Sequence, residues 1–473
     1  MAIRLDHVEL FQTPMRTRMP FRFGIATLTE LPHVIVRARL RVDGQTVHGY
    51  AADGLSPKWF TKQPDEPVDR ELADLWQVVR NAAEAGAGLT GPTVFALWHR
   101  LYQTQALWAE QTAHPPLLWS FGASLIERAV IDGFCRATQT SFADAVRRNT
   151  LGIELGDIHK PLTDVEPAAL LPGQPVRSMA ARHTVGLSDP LDDSDLDGID
   201  RLDDGLPQTL EQAIATYGLT HFKIKLLGKP DDDLARLRRL AAVIGRDGRP
   251  FAFTLDGNET YQAVEPFRDL AQSICDDTSL HAFMQHMLFV EQPFHRRIAL
   301  SDAVQEALLA WKDRPAIIID ESDATLHSLP RALDCGYAGT SHKNCKGVFK
   351  GIAGACLLEH LRREEPGRTF VLSGEDLSNV GPIALPQDLA VAATLGLEHI
   401  ERNGHHYFKG LSMFPDAVQQ QVLEAHGDLY RRHEQGFATV KITDGRIAID
   451  SVVDAPFGTP VAHDPETLAM EPA

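Results

Sequence analysis

Between residues 222 and 376 the chain repeats one pattern, in which a short apolar run ends in polar side chains and a helix-length interval follows. The polar residues at successive run ends lie about 23 to 35 residues apart. Such an interval accommodates one strand, one helix and two loops, which is the period of a parallel β/α repeat. The pattern therefore predicts an α/β fold. The run ends are Lys225, Asp256, Glu291, Asp320, Lys343 and Glu375.

The first of these runs, residues 222–226, carries two lysines. Side chains alternate between the two faces of a strand, so Lys223 and Lys225 point to the same side. By itself this pattern is more typical of an edge strand with a solvated lysine face than of a catalytic strand. The ordered polar run ends that follow favour the catalytic interpretation, because the active site of a (β/α)8 barrel lies at the carboxyl ends of its strands.

The first 60 residues predict strands. Residues 33–42 alternate polar and apolar side chains, Asp43-Gly44 marks a turn, and residues 46–50 return, which together indicate an antiparallel hairpin. The period then becomes helical over residues 68–85, 94–110 and 117–148. We therefore predict an N-terminal α+β domain over residues 1–150.

The rest of the chain divides into a barrel segment, 151–414, and a C-terminal segment, 415–473. Residues 178–187 are the candidate first barrel strand, 386–397 a helix, and 399–408 the eighth strand with its loop. In the C-terminal segment we expect a helix over 418–432 and a strand pair around 442–447.

Composition limits the kind of partner. A chain of 473 residues that is 44% hydrophobic can bury a large core. Its formal charge of −18 argues against nucleic acid and anionic membrane as partners, since both require a basic surface. The five cysteines are scattered, and neither a signal peptide nor a membrane-spanning run is evident, so we expect a cytoplasmic protein.

Three carboxylates, Asp256, Glu291 and Asp320, follow three consecutive strands. Together they would supply hard oxygen ligands for one octahedral cation, for which Mg2+ is suitable. Any one of them alone would more simply be a helix N-cap or loop residue. A lysine that faces the barrel interior is desolvated, and we expect this to lower its pKa towards neutrality and make it a base.

These motifs resemble the enolase superfamily, within it the mandelate racemase/muconate lactonizing enzyme-like proteins, and among these the muconate-lactonizing and dipeptide-epimerase branch. The resemblance rests on Lys-x-Lys, on Asp-x-Asn at 256–258, on Glu291, on Asp-Glu-Ser at 320–322 and on Lys343. It implies a (β/α)8-type barrel with an N-terminal α+β capping domain that the C-terminal segment completes.

The resemblance also implies roles for these residues. Lys225 would be the base on one face of the substrate, Lys343 the acid or base on the other, and Lys223 an electrostatic helper. Asp256, Glu291 and Asp320 would ligate one Mg2+, for which Mn2+ could substitute, and Asn258 and Glu321 would support these ligands. Phe23 and Trp59 would belong to a lid over the substrate.

The implied reaction is abstraction of a proton α to the carboxylate of a small molecule, through a metal-stabilised enediolate as in enolase-type sites. It would lead to racemisation, epimerisation or cycloisomerisation. There are two alternatives. The chain could dehydrate a sugar acid on the same scaffold, or it could be a catalytically silent barrel that serves as a binding protein. Assembly into a homo-oligomer is compatible with such barrels.

Some positions depart from the family pattern. No Gly-Gly pair follows Lys343, so Lys346 competes with it for the sixth-strand position, and Lys343 is favoured. The seventh strand end carries Glu375 and Asp376 instead of the histidine that the mandelate-racemase branch has there as a base, and either carboxylate could bind a substrate ammonium or be structural. His405, with His406 and Tyr407, either shapes the pocket or packs beneath the lid.

Overall fold

The computed structural model describes residues 2–468 and 471–472. An antiparallel sheet forms the N-terminal part, with the strand Ala26–Val42 between Ile3–Phe23 and Gln45–Gly54. Asp43 and Gly44 both have positive φ in the turn that joins the second and third strands, as the hairpin pattern predicts. Two short strands, Thr90–Gly91 and Glu471–Pro472, pair with Ile3–Phe23.

Three long helices, Val68–Gly86, Val94–Thr112 and Pro116–Thr138, belong to this part. The third packs on the sheet at very close range, since a Cβ on Gly49 would lie 2.0 Å from the carbonyl oxygen of Ala129. The prediction of a single helix over residues 117–148 is wrong. Gln139 adopts a left-handed conformation and ends the first helix, and a second, Phe142–Arg147, begins after the Ser141 cap.

The middle of the chain is a closed barrel of eight parallel strands in chain order, which confirms the predicted fold class. The ring closes because the eighth strand pairs with the first, with His399 opposite Ala180 and Arg402 opposite His183. In order, the barrel strands are Ser178–Val185, His221–Lys225, Ala252–Asp256, Met287–Glu291, Ile317–Ile319, Gly339–His342, Val371–Gly374 and His399–Arg402.

Helices follow the barrel strands, as the β/α period predicts. The longer ones are Leu210–Tyr217, Pro230–Ile244, Val264–Asp276, Asp302–Ala310, Ser328–Asp334, Val348–Glu364 and Ala384–Thr394. Shorter α-helices are Leu155–Ile158, His281–Met284, Gly404–Tyr407, Asp450–Asp454 and Pro465–Leu468, and the 3-10 turns are Lys160–Leu162, Pro167–Ala169, Asp193–Leu196 and Asn344–Lys346. Within the described residues, none of the helices combines the length and apolar character needed to cross a bilayer.

The C-terminal segment differs from its predicted elements. The helix is shorter than expected, Asp416–Ala425, because Tyr430–Arg432 pairs as a strand with Ala438–Val440. The strand Arg446–Ala448 adds antiparallel to the first barrel strand and not to the capping sheet. The chain does return to the N-terminal part, where Arg136 donates hydrogen bonds to the carbonyl oxygens of Thr459 and Val461. The domain boundaries themselves stay a prediction.

Candidate active site

The carboxyl ends of the barrel strands bring the predicted polar residues into one buried cluster. Lys223 and Lys225 come from the second strand, Asp256 from the third and Glu291 from the fourth. Asp320, Lys343 and Glu375 directly follow the fifth, sixth and seventh strands. In a ring of eight, the second and sixth strands are four places apart, so Lys225 and Lys343 approach the axis from opposite sides.

Lys223 lies at the centre of the cluster. Its ammonium nitrogen is 3.0 Å from Asp256 Oδ2, 2.7 Å from Glu291 Oε2 and 2.8 Å from Glu375 Oε2. A fourth carboxylate, Glu401, accepts from the same nitrogen at 3.0 Å. One buried cation therefore holds four strand ends together, and its role as an electrostatic helper stays a prediction.

Lys225 contacts the edge of this cluster. Its Nζ donates to Asp256 Oδ2 at 2.6 Å, and the other carboxylate oxygen, Oδ1, accepts the backbone N–H of Asn258 at 2.8 Å. The Asn258 side chain reaches towards Glu321, with 3.5 Å between its Nδ2 and Glu321 Oε1. Lys225 and Asn258 both line the cavity above the barrel.

On the opposite side, Lys343 and Lys346 both bind Asp320, but only Lys343 faces the cavity. Lys343 Nζ is 2.5 Å from Asp320 Oδ2, 3.0 Å from Glu375 Oε2 and 5.2 Å from the ring centre of Trp59. Lys346 Nζ donates to the carbonyl oxygen of Ser341 at 2.6 Å and to Asp320 Oδ1 at 3.0 Å. Lys346 therefore supports Asp320 from behind.

Glu375 is saturated by cations. Besides Lys223 and Lys343, Arg182 on the first barrel strand donates to its Oε1 at 2.8 Å, as does the Ser373 hydroxyl at 2.9 Å. Asp376 is similarly engaged, because Arg402 lies 2.5 Å away and two backbone N–H groups donate to it. Both carboxylates therefore already have protein partners, whereas binding of a substrate ammonium would require a carboxylate without one.

The carboxylates can be tested for their fit to a divalent cation. Oxygen atoms of Glu291, Asp320 and Glu375 all lie within 4.8 Å of one another. Both oxygens of Glu291 are buried and accept no hydrogen bond of good geometry from the described part of the chain, although Lys223 lies close to one of them. Burial and the nearby Asp256 and Glu375 raise the pKa of Glu291 well above its usual value. Such crowding is relieved by a bound cation, so these residues fit Mg2+.

The predicted metal ligands and the carboxylate group of Glu291, Asp320 and Glu375 share two residues. Glu291 and Asp320 belong to both, whereas Asp256 lies outside the group and Glu375 takes its place. The assignment of Asp256, Glu291 and Asp320 as ligands therefore stays a prediction.

The expected lowering of the lysine pKa is wrong for two of the lysines. Burial lowers the pKa of Lys223, but Asp256, Glu291, Glu375 and Glu401 outweigh it and raise that pKa well above its usual value. Lys343 behaves in the same way through Asp320 and Glu375. The expectation considered desolvation alone and left out the attraction of the carboxylates.

Beside the cluster, an ion-pair network joins the barrel to the capping domain. Arg296 donates to both carboxylate oxygens of Glu259, each at 2.7 Å, and to the carbonyl oxygens of Trp59 at 2.7 Å and Phe60 at 2.5 Å. Lys62 donates to the carbonyl oxygen of Asn258. Burial and neighbouring carboxylates raise the pKa of Glu321 to about 8.

The loop aromatics that the sequence predicts as a lid line the cavity. Phe21 and Phe23 lie at the tip of the first hairpin, and both line the cavity together with Trp59. The remaining cavity holds only about 30 Å³, which is close to the volume of one water molecule. We therefore expect these loops to move apart when a small carboxylate enters the site.

His405 and its neighbours pack beneath this lid and do not line the cavity. Phe21 stacks on Tyr407 with ring centres 4.2 Å apart, and Tyr407 donates to Asp189. His405 Nε2 lies 3.0 Å from His183 Nδ1. Burial lowers the pKa of His405 well below its usual value, so the imidazole is neutral. The packing alternative is the one that the contacts favour.

Two polar residues of the site were not predicted. Glu401 lies one residue before the end of the eighth strand and accepts from Lys223 and from the Thr184 hydroxyl at 2.6 Å. Its position at a strand end was visible in the sequence and would have identified it. Arg182 left no such signal, because it lies within the first strand and its pairing with Glu375 depends on ring closure.

No protein-family model matches this chain, and no curated protein matches it significantly. Solved structures do. A mandelate racemase/muconate lactonizing protein from Herpetosiphon aurantiacus is 14% identical with a TM-score of 0.60, and the match covers 97% of this chain and 99% of that one. A muconate lactonizing enzyme from Pseudomonas fluorescens, complexed with muconolactone, is 15% identical with a TM-score of 0.59 and 98% of each chain covered.

A third structure is a dipeptide epimerase from Enterococcus faecalis, complexed with Mg and the dipeptide L-Leu-L-Tyr. It is 14% identical with a TM-score of 0.58, and the match covers 86% of this chain and 92% of that one. Together these matches show that the chain has the same fold as these mandelate racemase/muconate lactonizing enzyme-like structures.

Proposed function

We propose that this chain is an enzyme of the mandelate racemase/muconate lactonizing enzyme-like group, and that it abstracts a proton α to the carboxylate of a small molecule. One observation carries the proposal. Lys225 and Lys343 come from opposite strands of the barrel and flank a cluster of buried carboxylates on the floor of a covered cavity. Two amines on opposite sides of one carbon allow proton removal from one face and delivery to the other.

Glu291 and Asp320, with Asp256 or Glu375, would hold one Mg2+, and Mn2+ has the same ligand preference. When bound, this cation supplies positive charge that stabilises the enediolate. The dipeptide epimerase from Enterococcus faecalis is complexed with Mg, which supports this assignment.

The lysines carry out the proton transfers. Lys225 Nζ takes the α-proton and forms a new N–H bond, and the electron pair of the C–H bond moves into the carboxylate of the substrate. Lys343 Nζ then delivers a proton to the opposite face of the same carbon, which inverts its configuration. Lys223 stays charged among its four carboxylates and contributes a fixed positive field beside the reacting carboxylate.

Delivery of the proton to the opposite face gives racemisation or epimerisation, whereas cycloisomerisation requires that a bond to a β-group break or form at the enediolate. Dehydration of a sugar acid is the alternative on the same scaffold, since loss of a β-group from the enediolate gives elimination. Glu375 replaces the seventh-strand histidine and is bound to three cations, which favours the two-lysine isomerase. A silent barrel is disfavoured because the lysines and carboxylates are all present.

The cysteines support a reducing compartment such as the cytoplasm. All five are free in the described chain, and only Cys275 is exposed.

The test is exchange of substrate α-protons in D2O with Mg2+, followed by NMR and polarimetry over a panel of N-acyl amino acids, dipeptides, sugar acids and unsaturated diacids. We expect exchange with inversion in the wild type, and its loss in Lys225→Ala and Lys343→Ala. The matched control is Lys229→Ala, because that side chain is 75% exposed and lies outside the site. Exchange that survives in both site variants would overturn the proposed roles.

A further inference from the structure

Asn403 follows the eighth barrel strand and lines the cavity above the lysines. Only 2% of it is exposed, yet its Oδ1 has no hydrogen-bond partner among residues 2–468. A buried polar group without a partner costs about 1–3 kcal/mol, so this oxygen is expected to accept from a water molecule or a ligand in the cavity.

A structural role does not account for this amide. Asn403 stands directly before the short helix Gly404–Tyr407, where an asparagine often caps the helix with its side chain. Here the side chain makes no cap hydrogen bond. The backbone carbonyl oxygen of Asn403 performs that task and accepts from the N–H groups of His406 at 2.9 Å and Tyr407 at 3.1 Å.

The charged groups around the same cavity are already engaged. Asp376 is bound by Arg402 and by the N–H groups of Ser378 and Asn379. Glu401 accepts from Lys223 and from Thr184. A substrate ammonium would find no free carboxylate here, and a second substrate carboxylate would lie beside Asp376 and Glu401.

The rest of the lining combines four apolar side chains with the polar residues Ser56, Asn258 and Ser378. Phe21, Phe23, Trp59 and Leu377 all line the cavity. Aromatic and aliphatic walls accept neutral groups, and a hydrogen bond within such walls is stronger than in water.

We propose that Asn403 determines specificity by binding a neutral hydrogen-bond donor of the substrate, either a hydroxyl or an amide N–H. The substrate class is then a small monocarboxylate that carries a hydroxyl or acylamino group, in preference to one that carries an ammonium or a second carboxylate. This inference rests on the proposed function, because it assumes that the carboxylate end of the substrate faces the lysines.

The test compares butanoates that carry one hydroxyl, acetamido, ammonium, carboxylate or methyl substituent at C2, C3 or C4. Binding to the full chain with Mg2+ is measured by calorimetry and by thermal shift, which need no turnover. We expect the wild type to bind its best hydroxyl or acetamido compound at least about tenfold more tightly than the methyl compound of the same position.

Three substitutions separate the role of the amide from general damage. Asn403→Leu should remove the preference over the methyl compound, and Asn403→Asp should shift it towards the ammonium compound. Asn403→Ser keeps a small hydrogen-bonding group and should retain part of the preference, so it keeps the test decisive if either other variant fails to fold.

The outcomes distinguish this inference from the proposed function. If α-proton exchange occurs but the wild type prefers ammonium or methyl compounds, or if Asn403→Leu keeps the preference, the role of Asn403 is refuted and the proposed function stands. If the hydroxyl and acetamido compounds bind with the expected preference but none of the panel exchanges with Mg2+, the proposed function fails and the role of Asn403 stands.

Discussion

Replacing Arg128 by methionine is expected to destabilise the capping domain through the charge that it leaves behind. Arg128 and Asp53 are both fully buried, and Nη2 of the arginine donates to Asp53 Oδ2 at 2.9 Å. The guanidinium also donates to the carbonyl oxygens of Ala52 at 3.1 Å and Ser124 at 3.2 Å. The pair thereby ties the helix Pro116–Thr138 to the strand Gln45–Gly54.

The magnitude follows from burial. Removing one partner of a buried ion pair costs about 3–5 kcal/mol, because the remaining charge keeps its desolvation penalty. Burial raises the pKa of Asp53 already in the wild type, and Arg128 partly lowers it again. Without Arg128 that pKa must rise further, so Asp53 is expected to take up a proton in the folded variant.

The pH dependence has a definite sign. A carboxyl whose pKa is higher in the folded state than in the unfolded state stabilises the fold at low pH and loses this contribution as pH rises through the folded pKa. The Arg128→Met variant should therefore be less destabilised near pH 5 than near pH 8, with a slope of up to about 1.4 kcal/mol per pH unit. His33 is buried near Arg128, and burial lowers its pKa to about 4.

The assay is urea unfolding at several pH values for Arg128→Met, Asp53→Asn and the double variant. The double variant should recover much of the stability and lose the pH slope, because no buried charge remains. A pH slope that persists without Asp53 would point to His33. A double variant as unstable as Arg128→Met would show that packing around the arginine stem matters, and would refute the charge argument.

Two further predictions concern the site. Mg2+ at about 100 times its Kd should stabilise the protein by about 2.7 kcal/mol in thermal unfolding, and Glu291→Gln should remove most of this shift because Glu291 belongs to the carboxylate group that fits the cation. An equal shift in the variant, or no shift in the wild type, would contradict the cation site. Arg296→Lys should raise KM by about tenfold or more with a smaller change in kcat, because a lysine cannot hold Glu259 and the lid carbonyl oxygens at once. The neighbouring exposed Arg297→Lys is the control, and an equal effect there would argue against a lid contact.

The sequence by itself determined the elements and their order, because local periodicity and strand-end residues are local properties of the chain. The run ends 256, 291 and 320 predicted a parallel barrel with its polar residues at one end, and the barrel has this form. The same rule extended to the eighth strand would have included Glu401. Helical periodicity predicted two helix ends wrongly. One helix ends at Gln139 although the apolar pattern continues, and another ends before Tyr430, which pairs as part of a strand.

The tertiary structure decided how these residues act on one another. Lys343 and Lys346 are three residues apart and chemically alike, and only the direction of each side chain shows that Lys343 faces the cavity. The pKa of Lys223 rises because four strand ends, distant along the chain, place carboxylates within hydrogen-bonding distance of it. Arg182 reaches Glu375 because the ring closes, and Asn403 is recognised as unpartnered only once its surroundings are known. Charge and hydrogen bonding depend on distances between remote residues, which no local pattern in the sequence encodes.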